Sequence, residues 1–261
     1  YIYVYMESFL KSLEQQKLVK RTIENHKRNL GKLNIELLLG EELDLVNYIK
    51  TNFDEGSQQK SMSGSVSKFR TFKNLPRENI AKLLKKNNEQ AHEIQKKNND
   101  ALEIPDIKNV KSLMNLYLKQ GMYKQYVVMY LLIHLQTRNL DLVAKVTDNL
   151  DDVDNETNWL FIRKNDVVFY RSKYKTSSTF GIKKNIIKSK RFKFAVSQLK
   201  EVLRPEENLY RSVMRITGQI SESLMMKMSV CNNNSLKGIA KISKNRGTSM
   251  NTISTNYDCT K

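Results

Sequence analysis

Tyr257 stands at the end of a polar segment near the C-terminus of the sequence, Asn245-Arg246-Gly247-Thr248-Ser249-Met250-Asn251-Thr252-Ile253-Ser254-Thr255-Asn256-Tyr257. A tyrosine in such a place can present its hydroxyl as a nucleophile and form a covalent intermediate. The chain has 12 tyrosines, so the alternative for Tyr257 is an ordinary packed or exposed aromatic side chain. A nucleophile would need partners elsewhere in the sequence.

Two basic residues qualify as such partners. Arg138 directly follows an apolar stretch that predicts a buried helix, so the core can hold its guanidinium group in position to bind a phosphate. The alternative is a structural pair with Asp141. Lys175 follows a predicted hairpin, where a lysine beside a scissile phosphate can protonate the leaving 5′ oxygen. Its alternative is a plain basic surface loop.

The overall charge favours a polyanionic partner. The net charge is +18 and the pI is about 9.7. Nucleic acid is the first candidate, because neutralising phosphates releases counterions and drives binding. An anionic membrane surface is the second candidate, and a solvated lysine-rich surface is the third. The candidate phosphate contacts are Lys20, Arg21, Lys27, Arg28, Lys68, Arg70, Lys73 and Lys173.

The first part of the chain predicts helices. Met6, Phe9, Leu10 and Leu13 recur at the spacing of one helical face, and only three prolines interrupt the whole sequence. A very polar helix over about residues 77–98, between Pro76 and Pro105, is typical of an exposed connector. The sequence therefore predicts a domain boundary near residue 103, with domains 1–103 and 104–261.

The second part mixes helices with strands. Residues 113–135 predict two helices broken near Gly121. Residues 159–162 and 167–170 are apolar runs around a Lys164-Asn165-Asp166 turn, which indicates a β-hairpin. A further strand is expected around 181–187, and helices return after Arg191. The predicted fold class is mainly α, with a helical first domain and a mixed α+β second domain that holds a small hairpin sheet.

Several classes of function are not expected. The longest apolar run, residues 126–135, is too short to span a bilayer, so we expect no membrane partner. Three scattered histidines and two cysteines, Cys231 and Cys259, fit no metal or redox motif, so we expect no metal and no cofactor. The cysteine usage favours a reducing compartment, and we expect an intracellular one that contains DNA: nucleus, cytoplasm or viral factory.

The order of these features resembles the tyrosine recombinase (integrase) family. Gly247-Thr248-Ser249 with Thr252 and Tyr257 looks like the family's C-terminal motif. Arg138, with an acidic residue three positions on, looks like its first arginine motif, and Lys175-Thr176 stands where the family has its catalytic lysine. The segment from Phe9 to Leu33 resembles the family's helical, SAM-like core-binding domain. Within the family, the chain resembles integrases of large DNA viruses and virophages.

The resemblance implies a two-lobed protein that cuts and rejoins double-stranded DNA. Tyr257 would form a 3′-phosphotyrosine, Arg138 and Arg211 would bind the non-bridging oxygens, and Lys175 would protonate the 5′ oxygen. Arg215 is the alternate to Arg211. The covalent link conserves the bond energy, so neither ATP nor a metal is required. The resemblance also implies a homo-tetramer on two DNA duplexes.

The sequence departs from the family at two positions and in one spacing. Asn208 replaces the basic residue of the His/Lys-x-x-Arg motif that ends at Arg211, and Thr248 stands where the family has His or Trp. The distance from Arg211 to Tyr257 is long and implies an insertion around residues 231–237. The alternatives are therefore a catalytically degenerate DNA-binding protein, a type IB-like topoisomerase, or a helical RNA-binding or scaffold protein.

Overall fold

Two compact units make up the chain, Tyr1–Ala101 and Leu102–Lys261. The computed structural model describes residues 2–18, 20–101, 103–233 and 235–257. The assignment of residues 1–103 to a DNA-binding domain and of 104–261 to a catalytic domain stays a prediction.

The first unit is helical throughout its described residues. Its helices are α1 (Ile2–Gln15), α2 (Lys20–Leu30), α3 (Ile35–Leu39), α4 (Glu42–Asn52), α5 (Ser57–Phe72) and α6 (Glu78–Asp100). Phe9 and Leu13 of the predicted stripe are buried against side chains such as Leu30, Ile49 and Phe69. Burial of one apolar face per helix is what stabilises these short helices, because isolated helices of this length are marginal in water. The connector predicted over residues 77–98 coincides with α6 from residue 78 onward.

The second unit surrounds a buried helix. It begins with α7 (Ile107–Lys119) and α8 (Tyr123–His134), and the break at Gly121 is confirmed by its left-handed φ of 70°. Val127, Val128 and Met129 on α8 are fully buried, which explains why this segment is apolar on all sides. The later helices are α9 (Ser177–Phe180), α10 (Lys190–Ser197), α11 (Leu209–Ile216), α12 (Glu222–Cys231), α13 (Leu236–Arg246) and α14 (Met250–Asn256).

A four-stranded sheet lies between α8 and α10 in the sequence. Its strands are β1 (Ala144–Thr147), β2 (Asn158–Ile162), β3 (Val167–Arg171) and β4 (Lys183–Ile187), in the order β1-β2-β3-β4. The predicted hairpin is β2–β3, which pairs antiparallel with Trp159 opposite Tyr170. Strand β1, which the sequence does not predict, pairs parallel with β2. The predicted fold class, mainly helical with a small sheet, is confirmed.

Among the helices that the structure describes, none is long and apolar enough to cross a bilayer. The same described ranges hold no group of three or more His, Cys, Asp or Glu side chains that could hold a metal ion. Cys231 is disulfide-bonded, which differs from the thiol state that a reducing compartment favours. Cys259 lies outside the described residues.

Candidate active site

The Gly-Thr-Ser motif forms a tight turn between two helices. Gly247 ends α13 in the left-handed conformation, with φ 66°, which glycine adopts without steric cost. Ser249 then begins α14 as its N-cap, and its Oγ accepts a hydrogen bond from Thr252 N at 3.1 Å. Tyr257 follows the last residue of α14. The motif therefore sets the direction in which α14 carries Tyr257.

Tyr257 lines a small cleft with a positive charge. The cleft has a volume of about 230 Å³ and is lined by Arg138, Lys175, Thr176, Arg246, Thr248, Thr252, Ile253, Asn256 and Tyr257. This lining carries three cations and no carboxylate. Clefts that enclose a drug-sized ligand measure roughly 300 to 1,000 Å³. The dimensions and charge of this cleft fit one anionic group of a larger molecule.

Arg138 enters the cleft from the start of the 3₁₀ turn Asn139–Leu142. Its Nη1 donates to the carbonyl oxygen of Arg246 at 2.7 Å. Burial lowers the pKa of Arg138, and the neighbouring guanidinium of Arg246 lowers it further, whereas Asp141, Glu222 and, least of the three, Tyr257 raise it. These opposing influences place the guanidinium within electrostatic reach of Tyr257.

Asp141 is not the ion-pair partner of Arg138. Its carboxylate pairs instead with Arg171, at 3.1 Å from Asp141 Oδ2 to Arg171 Nη1, and both side chains are fully buried. Burial raises the pKa of Asp141, against the opposing influence of Arg171. Asp141 Oδ2 does accept a hydrogen bond from the backbone N–H of Arg138 at 3.3 Å. The carboxylate therefore orients the backbone of Arg138 and leaves its side chain to the cleft.

Arg246 is the cleft residue that sequence reasoning missed. Its Nη2 lies 2.5 Å from Glu222 Oε1, and its Nη1 donates to the carbonyl oxygens of Gln136 and Thr137. Glu222 in turn accepts from the backbone N–H of Asn139. These partners are 24 or more positions away in the sequence, so no local pattern reveals them. The motif Asn245-Arg246-Gly247 gives the only signal, a basic residue beside the turn.

Lys175 and Thr176 reach the cleft from the segment after β3. Lys175 is exposed and lines the cleft. Thr176 is half-buried and its Oγ1 donates to the carbonyl oxygen of Gly247 at 2.6 Å. The expectation that Arg138, Lys175, Thr248 and Tyr257 lie together therefore agrees with their shared lining of one cleft, while their catalytic roles stay predictions.

Four consecutive backbone carbonyl oxygens at the end of α13 accept hydrogen bonds from side chains of other elements. The pairs are Lys183 Nζ with Lys244 O, Arg171 Nη2 with Asn245 O at 2.5 Å, Arg138 Nη1 with Arg246 O, and Thr176 Oγ1 with Gly247 O. The last carbonyl groups of a helix have no partner within the helix, and they lie at the negative end of its dipole. We call these four donors, Arg138, Arg171, Thr176 and Lys183, the carbonyl clamp.

Arg211, Arg215 and Asn208 do not line the cleft. They line a different cavity together with Glu207 and Ser212. Asn208 is the N-cap of α11, and its Oδ1 accepts from Arg211 N at 3.2 Å. Their expected roles beside Tyr257 stay predictions, although they are not among the residues that line the cleft. The long spacing from Arg211 to Tyr257 contains α12, α13 and α14, and the insertion expected around residues 231–237 stays a prediction.

Arg70, which the sequence predicts to lie on the solvent-exposed face of its helix, is buried. It is 2% exposed, and its guanidinium donates to the carbonyl oxygens of Pro76, Leu38 and Gly40 at 2.6 to 3.1 Å. A side chain held in this way cannot contact a phosphate. Arg70 is therefore a structural residue that joins α5 to the ends of neighbouring segments.

The other predicted phosphate contacts differ in accessibility. Exposed side chains belong to Lys20, Arg21, Lys27, Arg28 and Lys68. Lys73 is half-buried, with its Nζ 3.8 Å from the centroid of the Tyr5 ring. Lys173 is exposed and pairs with Glu156 at 3.0 Å. Contact of these residues with DNA stays a prediction.

Comparison with known proteins gives little beyond this geometry. No protein-family model and no curated protein match the chain. One solved structure, described as "Crystal structure of XerA recombinase", is similar over 97% of this chain and 93% of that chain, with a TM-score of 0.35 and 13% identity. A similarity of this size carries no argument about function, so the function is argued from the side chains of the cleft.

Proposed function

We propose that the cleft binds a phosphodiester of duplex DNA and that Tyr257 attacks it, so that the chain is a DNA strand-cutting and rejoining enzyme. The observation that carries the proposal is the shared lining: one phenol, three cations and the hydroxyl groups of three threonines around a small cavity. A phosphodiester is an anion that needs this complement of donors. Its transfer to a phenol needs the phenol and a proton donor together.

The proposed reaction is a transesterification that uses the side chains lining the cleft. Tyr257 Oη forms a bond to phosphorus while the bond from phosphorus to the 5′ oxygen breaks. The phenolic proton leaves to solvent, and the 5′ oxygen takes a proton from Lys175 Nζ. One phosphate ester replaces another, so attack by a 5′ hydroxyl reverses the step and restores the DNA backbone. Arg138 donates to the non-bridging oxygens, where negative charge increases in the transition state.

The charge of the cleft supports binding of an anion. Arg138 and Arg246 lie close enough for Arg246 to lower the pKa of Arg138, and Glu222 is the carboxylate that pairs with Arg246. Two guanidinium groups held near each other repel, and a phosphate between them relieves that repulsion. The electrostatic repulsion between Arg138 and Arg246 is therefore smaller when the phosphodiester is bound.

The test is a search for a covalent protein–DNA adduct. Duplex fragments that carry nicks or bridging phosphorothiolates, drawn first from a mixed genomic pool, are incubated with the protein and resolved in SDS. We expect an adduct that is lost in Tyr257→Phe and kept in Tyr210→Phe, a matched control because Tyr210 is 60% exposed on α11. An adduct that persists in Tyr257→Phe would contradict the assignment of the nucleophile.

Duplex binding without cleavage is the second candidate function. Two observations favour it: Arg211 lies in a different cavity, and Arg138 Nη1 is engaged with a backbone carbonyl. Tight binding to many duplexes with no adduct would support it. If the adduct does form, relaxation of a supercoiled plasmid without exchange of partners would identify a type IB-like topoisomerase.

The proposed function also includes an oligomeric state. A recombinase joins ends from two duplexes, so the proposal includes a homo-tetramer on DNA, with each copy contributing one Tyr257. Light scattering with and without duplex DNA tests this point. A monomer in both conditions would favour the topoisomerase or the binding function. The resemblance to viral integrases also stays a proposal.

A further inference from the structure

The carbonyl clamp joins the sheet to the end of α13, the helix that directly precedes α14 and Tyr257. Two of its donors, Arg138 and Thr176, line the cleft, whereas Arg171 on β3 and Lys183 on β4 are not among the lining residues. Arg171 and Lys183 instead bind the carbonyl oxygens of Asn245 and Lys244. Neither reaches the cavity that would take the phosphodiester.

Arg171 is itself fixed in the core. Its side chain is fully buried, its Nη1 pairs with Asp141 at 3.1 Å, and its Nη2 also donates to Asn185 Oδ1 at 2.9 Å. Asn185 belongs to β4, opposite Phe169 of β3. The guanidinium thus connects two strands, the turn that bears Arg138 and the end of α13. A donor held by so many partners has little freedom to move with α13.

Helix α14 is held at one small apolar cluster, against which Tyr257 at its end also packs. Its one buried residue is Ile253, which packs against Met226, Val230 and Ile242. Its N-terminus is set by Gly247 and Ser249, directly after the clamped carbonyls. The position of Tyr257 in the cleft therefore depends on where α13 ends, and that end is held by the clamp.

We propose that Arg171 and Lys183 are positioning residues, which fix the end of α13 and thereby direct Tyr257 into the cleft. The proposal rests on the proposed function of the cleft. A displacement of about 1 Å at reacting atoms can cost roughly a hundred-fold in rate. Loss of either donor therefore lowers the rate of adduct formation without removing a group that contacts DNA.

Lys183 adds a pH dependence that a packing role would lack. Burial lowers its pKa most, Arg171, Arg138 and Lys244 act in the same direction and Asp141 opposes them, and the resulting pKa is about 8. Its Nζ also lies near the rings of Tyr174 and Phe180. Above about pH 8 the ammonium loses its proton, and with it the charge that strengthens its bond to Lys244 O. The clamp then loosens.

The experiment compares Lys183→Met and Arg171→Met with two matched controls. Lys184→Met changes the adjacent, exposed lysine of β4, and Arg163→Met removes an arginine of the β2–β3 turn that pairs with Asp166. Three quantities are measured: hydrogen exchange over residues 250–257, the single-turnover rate of adduct formation from pH 6.5 to 9.5, and affinity for duplex DNA.

We expect Lys183→Met and Arg171→Met to raise exchange in α14 and to slow adduct formation roughly ten- to hundred-fold, with duplex affinity within about two-fold of wild type. The rate for the wild type and Lys184→Met should fall above about pH 8, and that fall should be absent in Lys183→Met. Unchanged exchange and rates in Lys183→Met would overturn the proposal, and so would a pH profile identical to wild type.

The proposed function of the cleft and the positioning role of Arg171 and Lys183 can fail separately. If the wild type forms no adduct on any duplex, the proposed function fails, and exchange over residues 250–257 alone decides whether the clamp holds α14. If Arg171→Met does not fold, Lys183→Met decides, because Lys183 is only half-buried.

Discussion

Arg138 uses only part of its guanidinium group in the hydrogen bond to the backbone of Arg246. Its Nη1 donates to Arg246 O, and its remaining N–H groups are the donors that a phosphate in the cleft would take. The carbonyl group of Arg246 fixes the plane of the Arg138 guanidinium group before any anion binds. Preorganised donors of this kind contribute more to a transition state than mobile ones, because no energy is spent on arranging them during the reaction.

Replacing Arg138 should therefore affect cleavage far more than replacing Arg211. We expect Arg138→Met to lower the single-turnover rate of adduct formation by roughly 10² to 10³-fold. Arg211→Met should stay within a few-fold of wild type, because Arg211 lines a different cavity. Equal losses in the two variants would restore Arg211 to the role that the sequence predicts for it.

His26 is a buried titratable residue of the first unit. Its Nδ1 lies 2.9 Å from Ser65 Oγ, and its ring packs edge-on against Phe9. Burial lowers its pKa below the ordinary value of 6.5, and the ammonium of Lys68 lowers it further. The folded state therefore favours the neutral imidazole, and the unfolded state binds the proton more readily.

Because the pKa of His26 is lower in the folded state, protonation of this ring at low pH destabilises the folded protein. The contribution of His26 to stability is present above about pH 6.5 and is lost as the pH falls through the folded-state pKa. Urea unfolding at pH 7.5 and pH 5 should show the wild type losing stability relative to His26→Gln. His92→Gln, which changes an exposed histidine of α6, should follow the wild type at both values. A loss shared equally by wild type and His26→Gln would contradict the assignment.

The turn between α13 and α14 depends on a glycine at the scale of the element. A Cβ on Gly247 would lie 3.0 Å from a ring carbon of Tyr174 and 3.1 Å from Lys183 Nζ, at a φ of 66°. Gly181 has a similar φ of 64°, but a Cβ there would meet nothing within 4 Å. Substitutions at Gly181 and Gly247 therefore distinguish the cost of backbone strain from the cost of steric crowding.

Both alanine substitutions should destabilise the protein, to different degrees. The left-handed conformation alone costs roughly 1 to 2 kcal/mol for a residue with a Cβ, which is the expected loss in Gly181→Ala. Gly247→Ala should lose more and should also slow adduct formation, since α14 must shift away from Tyr174 and Lys183. Thermal unfolding and adduct rates measure both effects. A loss in Gly247→Ala no larger than in Gly181→Ala would show that crowding is unimportant.

The elements with local signals were predictable from sequence, and those made by distant contacts were not. The β2–β3 hairpin has two apolar runs around a polar turn, so its pattern is complete within a few residues. Strand β1 has four residues, and its pairing with β2 crosses the intervening 3₁₀ turn Leu150–Asp152. Nothing in Ala144–Thr147 alone specifies that partner.

The site shows the same division. The Gly-Thr-Ser turn and Tyr257 were visible because caps and turns are local in sequence. Arg70 and Arg246 were not visible, because the carbonyl groups that bury Arg70 lie up to 32 positions away and the partners of Arg246 up to 110. The sequence around Arg70, a basic residue beside apolar ones, predicts a solvent-exposed helix face. Only the three-dimensional structure shows that this side chain is buried instead.

The basic charge is unequal across the whole molecule. Residues 102–261 hold 27 basic and 14 acidic residues, a net charge of +13, and residues 1–101 hold 18 and 13, a net charge of +5. The unit that contains the cleft therefore carries most of the excess. Attraction to a polyanion would be strongest there, and the exposed lysines of the first unit would add further contacts.

Salt dependence of duplex binding tests how this charge is used. We expect affinity to fall steeply as salt rises, with the slope of log K against log salt reduced by about 1 in Lys68→Met. Arg70→Met, two residues away, should leave the slope unchanged and lower stability by roughly 2 to 4 kcal/mol, since three carbonyl groups lose their donor. A reduced slope in Arg70→Met would indicate that Arg70 contacts phosphate after all.

The carbonyl clamp also bears on the order in which the protein acquires its activity. Its four hydrogen bonds join residues 61 to 108 positions apart, and the accepting carbonyls all follow their donors along the chain. Ribosomes deliver the N-terminal residues first, and contacts between distant residues close slowly. A nascent chain can thus fold its sheet and expose its basic surface to DNA before the helix with the phenol is anchored. The proposed capacity to break a strand would be the last property that the newly made protein gains.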